Sequence, residues 1–363
     1  MAGPVVIAAG GTGGHIFPAQ SLAQELARRG RKVVLMTDDR GHNYAQTFPQ
    51  ADIVTVPSAT FAGRGLVGKA FAVARLGRGA VAAYFALARV KPSVVVGFGG
   101  YPALPTMFAA ARRGLPSIIH EQNAVLGRVN RWLSPNVTKI AAAFSKLTHL
   151  DPVLQPLVKV TGNPVRPAVI AAARSYTKPP VDGSFNLLVL GGSQGARVFS
   201  TLLPQAIAKL PEPVRKRINL TQQCRPEDLE AAKARYAAMG LQPTLAPFFG
   251  DMGERLAAAH LVISRAGAST VTELCAVGRP SILIPYPFAM DDHQSVNAGQ
   301  LAADGAAWAF KEADLTADQL AAKVTELAQN PVLLEAAAAK ALSLGRSDAA
   351  SRLADLVDEV GGL

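Results

Sequence analysis

The sequence predicts an α/β protein built from two Rossmann-like domains that face each other across a cleft. Three observations predict it. Short β-branched runs alternate with longer helix-like segments, the signature of parallel α/β units. A strand, a glycine turn and a helix start occur in that order twice, roughly half a chain apart. The 363 residues exceed what one ordinary core accommodates and suit two.

In the first half, strands are expected at Val5–Ala8, Val33–Met36, Ile53–Val56, Val94–Val96, Ser117–Ile119, Lys139–Ala141 and Val158–Thr161. In the second half they are expected at Phe185–Leu190, Ile218–Thr221, Leu245–Pro247, Leu261–Ser264 and Ser281–Pro285. Their unbroken apolar character suits sheets covered on both faces. Thr161-Gly162-Asn163-Pro164-Val165-Arg166-Pro167 has the Gly/Pro content of a linker. The expected division is a first domain over 1–163, a second over 164–343, and a C-terminal helix over 344–363 packing back toward the first. From Pro331 the chain is Ala/Leu-rich and reads as helix.

Composition excludes several classes. The two cysteines, Cys224 and Cys275, form no CxxC pair, so a disulfide framework or a zinc module is not expected. The N-terminus lacks a basic leader and runs directly into a strand pattern, unlike a signal peptide. No run reaches the roughly 18 uninterrupted apolar residues of a spanning helix. The net charge of +11 is one-sided: residues 1–163 hold 18 Lys and Arg against 6 Asp and Glu, and the remainder 19 against 20. Residues 53–120 carry Arg64, Lys69, Arg75, Arg78, Arg89, Lys91, Arg112 and Arg113 with no acid among them. Such asymmetry predicts an anionic partner. Interleaved apolar residues such as Phe71, Val81, Tyr84 and Phe85 favour an anionic lipid surface. Aromatics are too scarce for a stacking groove, so nucleic acid is not expected.

Four clusters carry chemistry. Gly10-Gly11-Thr12-Gly13-Gly14-His15 follows the first strand, but Ile16 replaces the third glycine of a dinucleotide fingerprint. His15 stands where the positive helix end disfavours imidazolium, which suits a base; a packing or capping histidine is the alternative. Gly97-Phe98-Gly99-Gly100-Tyr101-Pro102 is a second glycine loop at a strand end, able to help cradle a diphosphate. Gly191-Gly192-Ser193-Gln194-Gly195-Ala196-Arg197 opens the second domain in the same style. Ser264 to Glu273 then offers a further helix start, with Ser269 or Thr270 as its cap and Arg265 as a fixed cation beside a pyrophosphate. Glu273 can accept both ribose hydroxyls, or is an ordinary first-turn acid. Asp291-Asp292-His293 is read as a turn before a helix rather than a metal site, and no metal or other cofactor is expected.

Together with His120-Glu121-Gln122-Asn123, Gly162-Asn163-Pro164-Val165-Arg166 and His293-Gln294 with Asn297, these pieces resemble the MurG family. Its members are bacterial N-acetylglucosaminyltransferases of GT-B fold that convert lipid I to lipid II in peptidoglycan synthesis. The pieces occur in the family's order from residue 10 to about 300. The resemblance implies an inverting, metal-independent transfer of GlcNAc from UDP-GlcNAc. The acceptor would be the C4 hydroxyl of MurNAc in undecaprenyl-diphosphoryl-MurNAc-pentapeptide. It implies donor contacts from Arg166 and the backbone of Phe249 near the uracil and Ser193 at the diphosphate. Ala268, Ser269, Thr270 and Val271 would surround the phosphates, Glu273 would meet the ribose, and Gln294 the sugar. Thr12, Gly13, Gly14 and Asn123 would close on the sugar. The Gly13-Gly14 and Gly99-Gly100-Tyr101 loops would hold the lipid diphosphate, and His15 would be the base. A peripheral position on the cytoplasmic face of the inner membrane follows, with other cell-wall synthesis proteins as further partners. One departure stands out: Thr221-Gln222-Gln223-Cys224 replaces a His-Gln pair, and no contact is assigned to that loop. An NAD-dependent oxidoreductase using Asp38, and a UDP-GlcNAc epimerase, are the rival enzyme classes.

Overall fold

The computed structural model describes residues 3–39, 48, 50–60, 65–192 and 195–362. The chain divides into two compact units, Met1–Arg166 with Arg346–Leu363, and Pro167–Gly345.

Unit 1 is a seven-stranded parallel sheet made of β1 (Val5–Ala8), β2 (Val33–Thr37), β3 (Ala51–Thr55), β4 (Val94–Gly97), β5 (Ser117–Glu121), β6 (Lys139–Ala142) and β7 (Val158–Val160). Its order is β3-β2-β1-β4-β5-β6-β7. β1, β2, β4 and β5 are buried along their whole length, as helix cover on both faces requires. The helices are α1 (Gly13–Arg28), α2 (Leu66–Val90), α3 (Gly100–Arg112) and α4 (Arg128–Leu133). Val5, Ile7, Leu22, Leu26, Val94 and Val96 form one core, and Val6, Ala83, Leu87, Met107 and Ile119 another.

Unit 2 is a six-stranded parallel sheet: β8 (Phe185–Leu190), β9 (Ile218–Gln223), β10 (Thr244–Ala246), β11 (Leu261–Ser264), β12 (Ser281–Leu283) and β13 (Ala307–Ala309). Its order is β10-β9-β8-β11-β12-β13. Its helices are α5 (Pro167–Ala171), α6 (Arg197–Ala208), α7 (Glu212–Arg217), α8 (Leu229–Ala237), α9 (Met252–Ala258), α10 (Ala268–Ala276), α11 (His293–Ala303), α12 (Ala317–Gln329) and α13 (Pro331–Leu344). β13 is absent from the expected strands. It is the three residues Ala-Trp-Ala, too short and too poor in β-branched side chains to announce itself.

The last helix, α14 (Ala349–Gly361), belongs to unit 1. Leu353, Ala354, Leu356 and Val357 join the core that holds Leu22 and Leu26 of α1. Arg29 reaches Asp355 at 2.7 Å and Asp358 at 3.0 Å, and Arg31 reaches Asp358 at 3.1 Å. The segment expected as a linker is instead packed. Thr161 to Val165 are buried, the Val165 carbonyl accepts from Ser21 Oγ, and Gly162 (φ +83°) faces Arg346 and Ala349. Glycine is required there because a Cβ would meet the Arg346 side chain at 2.8 Å.

Of the basic, acid-free stretch, residues 66–90 form one helix, while Arg64 lies outside the described residues. Contrary to the expectation from uninterrupted runs, Val67–Val90 is long and apolar enough to cross a membrane by length and composition, with a hydropathy of 1.3. Ala72, Ala83 and Leu87 are buried within unit 1, and Gly79 lets the helix close on the Pro57 carbonyl, with which a Cβ would collide. The opposite face leaves Val67, Phe71, Val73, Val81 and Phe85 more than half exposed.

Candidate functional site: glycine turns at two switch points

In an open parallel sheet, the crevice forms where neighbouring strands send their connections in opposite directions. In unit 1 that point lies between β1 and β4, whose ends are in register at Ala8 and Gly97. Both glycine turns of unit 1 issue from it. In unit 2 the point lies between β8 and β11, in register at Leu190 and Ser264, and the turn at Gly191 and the segment from Arg265 issue from that one.

Gly11 (φ +86°) turns the chain into α1. Thr12 is the N-cap and gives no side-chain cap, and the first turn holds no acid. The Thr12 carbonyl accepts the amides of His15 and Ile16, while Gly13 and Gly14 begin the helix and have no carbonyl within it to bond. An anion at such an end gains about 0.3–1 kcal/mol. His15 donates from Nδ1 to the Phe98 carbonyl at 2.7 Å, since a carbonyl only accepts. With Nδ1 carrying the proton, the lone pair of the neutral ring lies on Nε2. Gly100 (φ +68°) sits beside that atom, and a Cβ there would stand 3.3 Å from Nε2. The two turns therefore meet at His15. Tyr101, half-buried, follows in α3. The Phe98 carbonyl also accepts from Gln122 Nε2 at 2.8 Å, which holds it in place.

β5 ends in two side chains whose roles the sequence did not announce. Glu121 is buried and takes four N–H groups: Asn123 N and Nδ2 on Oε1, Gly127 N and Asn130 Nδ2 on Oε2. It fixes Asn123, and through Asn130 it backs Gly99, whose Cβ would stand 3.2 Å from the Asn130 amide nitrogen. A lone acid closing an apolar strand amid Asn, Gln and Gly was the available signal. His120 is fully buried, stacks obliquely on Phe98 at 5.1 Å and donates from Nε2 to the Gly162 carbonyl at 3.1 Å. Burial pushes its imidazole down to about 4, aided by the charge of His15 and opposed by the Gly162 carbonyl.

Arg166 does not point into open solvent: its guanidinium lies 5.2 Å over the Phe17 ring. Asp38, the acid of the rival dinucleotide reading, is buried and accepts from Ser58 Oγ at 3.0 Å.

In unit 2, Ser193 and Gln194 lie outside the described residues. α10 begins at Ala268 with Gly267 as N-cap, no side-chain cap and no acid in its first turn. The expected capping by Ser269 or Thr270 is thus corrected. Both are inside the helix, Gly267 takes the cap, and Ser269 Oγ is buried without a partner. Ala268 and Val271 turn their side chains inward, so they can offer a ligand only main chain. Glu273 is buried in the second turn. Gln294 Oε1 accepts from the amides of Ala266 and Tyr286 at 3.2 and 3.0 Å, which leaves its NH2 end as the donor. Asn297 braces the same segment by donating to the Ala266 carbonyl. Phe249 is buried under the Arg255 guanidinium at 4.2 Å.

Arg265 departs most from expectation. Its guanidinium donates to the carbonyls of Ile284 and Pro285 and pairs with Glu312 at 2.6 Å, between the rings of Phe199 and Tyr286. Its charge is paired within unit 2. It ties together the strand ends that carry α10. Among the described residues, no three His, Cys, Asp or Glu side chains gather where they could hold one ion. His293 Nδ1 is taken by the Met290 carbonyl, and Asp291 and Asp292 occupy the left-handed region before α11.

The glycosyltransferase family 28 N-terminal domain matches residues 5–142, and the C-terminal domain of the same family matches 186–356. A protein of Rhodospirillum centenum is 51% identical over 361 residues, covering 99% of this chain and 95% of its own. It is named UDP-N-acetylglucosamine--N-acetylmuramyl-(pentapeptide) pyrophosphoryl-undecaprenol N-acetylglucosamine transferase. A relative of the same name from Rhodospirillum rubrum is 50% identical, over 97% of this chain and 91% of its own. The crystal structure of Acinetobacter baumannii MurG superposes with a TM-score of 0.79 at 31% identity, covering 98% of this chain and 99% of that one.

The His120 shift yields a prediction. Between about 4 and 6.5 the unfolded chain binds a proton that the native site refuses, so stability is full above 6.5 and falls as pH drops toward 4. Urea unfolding should show this slope, of order 1 kcal/mol per pH unit, and His120→Gln should flatten it. With two α/β units of GT-B type, both domain signatures and relatives near 50% identity over almost its whole length, the chain belongs to the MurG family within glycosyltransferase family 28.

Proposed function

We propose that the protein transfers GlcNAc from UDP-GlcNAc to the C4 hydroxyl of MurNAc in undecaprenyl-diphosphoryl-MurNAc-pentapeptide, with inversion and without a metal. The observation that carries this reading is His15: its Nδ1 is held by the Phe98 carbonyl and its Nε2 stands beside Gly100, where two glycine turns meet. The relatives' printed names supply the substrates.

His15 Nε2 removes the proton of the acceptor hydroxyl as its oxygen bonds to the anomeric carbon. The bond from that carbon to the β-phosphate oxygen breaks, and UDP leaves with the electron pair. The first-turn amides of α10 receive the developing charge, in the manner of an oxyanion hole. Glu273 accepts from the ribose, Gln294 donates to a sugar hydroxyl, and Phe249 marks the uracil edge. Arg265 acts in this scheme by holding α10's strand rather than by touching phosphate. Gly13, Gly14, Gly99 and Gly100 bring bare main chain to the acceptor diphosphate, and Asn123, held by Glu121, closes on the sugar.

The membrane side of the reading rests on α2. Its exposed Val67, Phe71, Val81 and Phe85, together with the exposed Trp132 of α4, accompany Lys69, Arg78, Arg112 and Arg113. Arg113 lies 4.6 Å over the Tyr84 ring, so cation and apolar surface are interleaved. Such a face suits shallow insertion at an anionic bilayer. The protein would then work as a peripheral enzyme at the cytoplasmic face of the inner membrane, where its lipid acceptor resides.

A transfer assay with radiolabelled UDP-GlcNAc and a short-chain lipid I analogue tests the reaction. Label should move to the analogue at an undiminished rate with EDTA present. His15→Ala should lower kcat by about 100-fold or more while UDP binds as before. Loss of transfer on chelation, or a fully active His15→Ala, would overturn the corresponding part. For the membrane, co-sedimentation with phosphatidylglycerol vesicles should weaken as salt rises. Phe71→Ser with Phe85→Ser should cut it at least about tenfold, given roughly 1.5–3 kcal/mol per buried Phe, without altering UDP affinity.

A further inference from the structure

β9 ends at Gln223, between β8 and β10. Main-chain pairing runs out on both sides here: Val189 lies opposite Gln222, and Ala246 opposite Gln223. Beyond these rungs β8 enters the turn at Gly191, and β10 enters Pro247-Phe248-Phe249. The Gln223 side chain adds a rung to each. Its Oε1 accepts from the Gly191 amide at 3.2 Å, and its Nε2 donates to the Pro247 carbonyl at 3.1 Å. A carboxamide offers an acceptor and a donor as a peptide group does, so it can prolong a parallel sheet on both flanks at once. Glu supplies only the acceptor at neutral pH, and Lys only donors. Gln222, by contrast, serves the core. Fully buried, it accepts from the Tyr236 hydroxyl at 2.6 Å and donates to the Phe199 carbonyl.

We infer that Gln223 is a positioning residue for nucleoside diphosphate recognition, a strut that fixes the spacing between the glycine turn and the Pro247–Phe249 segment. The inference rests on the donor site proposed above. Gly192 (φ +80°) and Gly195 (φ +69°) stand in the left-handed region that glycine adopts cheaply, and the Gly195 amide donates to the Gly192 carbonyl at 3.0 Å. The far segment is anchored by buried Phe249 under Arg255. Tying the two sets the distance at which a ligand must span from base to phosphate, and preorganisation of that kind raises affinity for the whole ligand above that of its parts. The Gly191 amide, held by Gln223, is withdrawn from ligand contact.

A strut has a signature that a general stabiliser lacks: it matters to a ligand that bridges both segments and not to a fragment that uses one. Calorimetry with UDP, uridine and inorganic pyrophosphate on the intact wild type, Gln223→Leu and Gln223→Glu reads this directly. Gln223→Leu removes both rungs and should weaken UDP about tenfold while uridine and pyrophosphate each change by less than about twofold. Gln223→Glu keeps the Gly191 rung and should fall between. In steady-state transfer, KM for UDP-GlcNAc should rise by more than kcat falls, with acceptor KM unmoved. Unchanged UDP affinity in Gln223→Leu overturns the strut and leaves the donor site standing. Equal losses for UDP and both fragments, tracking a lower Tm, also overturn it by making the residue merely structural. A wild type that binds no UDP overturns the donor site and the strut together.

Discussion

The chemistry proposed for this protein depends on one arrangement: parallel strands that end in glycine turns and deliver helices whose first amides have no cap. Parallel pairing aligns every strand's C-terminal end on one edge of its sheet. The switch points between β1 and β4, and between β8 and β11, open a crevice at that edge. α1 and α10 begin there without a side-chain cap or an acid in the first turn, so their positive ends remain for a ligand. Within each unit, that edge carries the residues assigned a part in the transfer.

Around this scaffold, polar side chains serve chiefly to hold main chain still. Glu121 collects four N–H groups, the Phe98 carbonyl receives both His15 and Gln122, and Gln294 with Asn297 brackets Ala266. Arg265 is the clearest case. A buried cation is costly unless paired, and Glu312 with two carbonyls meets that cost inside the unit. In the proposed reaction the phosphate charge falls to backbone dipoles, which need no reorganisation when charge develops.

The α2 helix illustrates how composition alone misleads. By apolar content it passes for a membrane span, and by charge for a solvated face. Its buried stripe, Ala72, Ala83 and Leu87, commits it to unit 1, and only the remaining face is left for a bilayer surface.

Much of the fold is legible in the sequence because strands and turns are local. Val5–Ala8, Phe185–Leu190 and Leu261–Ser264 have the bounds their apolar runs predict, and the glycines at 11, 99 and 100 adopt the left-handed conformations that only their lack of a Cβ makes cheap. Short β13, with no β-branched residue, carries no such mark. Candidate site segments are legible too, as motifs at strand ends. What each side chain does there is not. His15 meets Phe98 across 83 residues, Ala266 meets Gln294 across 28, and Gly191 meets Gln223 across 32. Those encounters are made by the crossovers that bring distant strands into register, so the tautomer of His15, the neutralised charge of Arg265 and the strut at Gln223 belong to the tertiary structure alone.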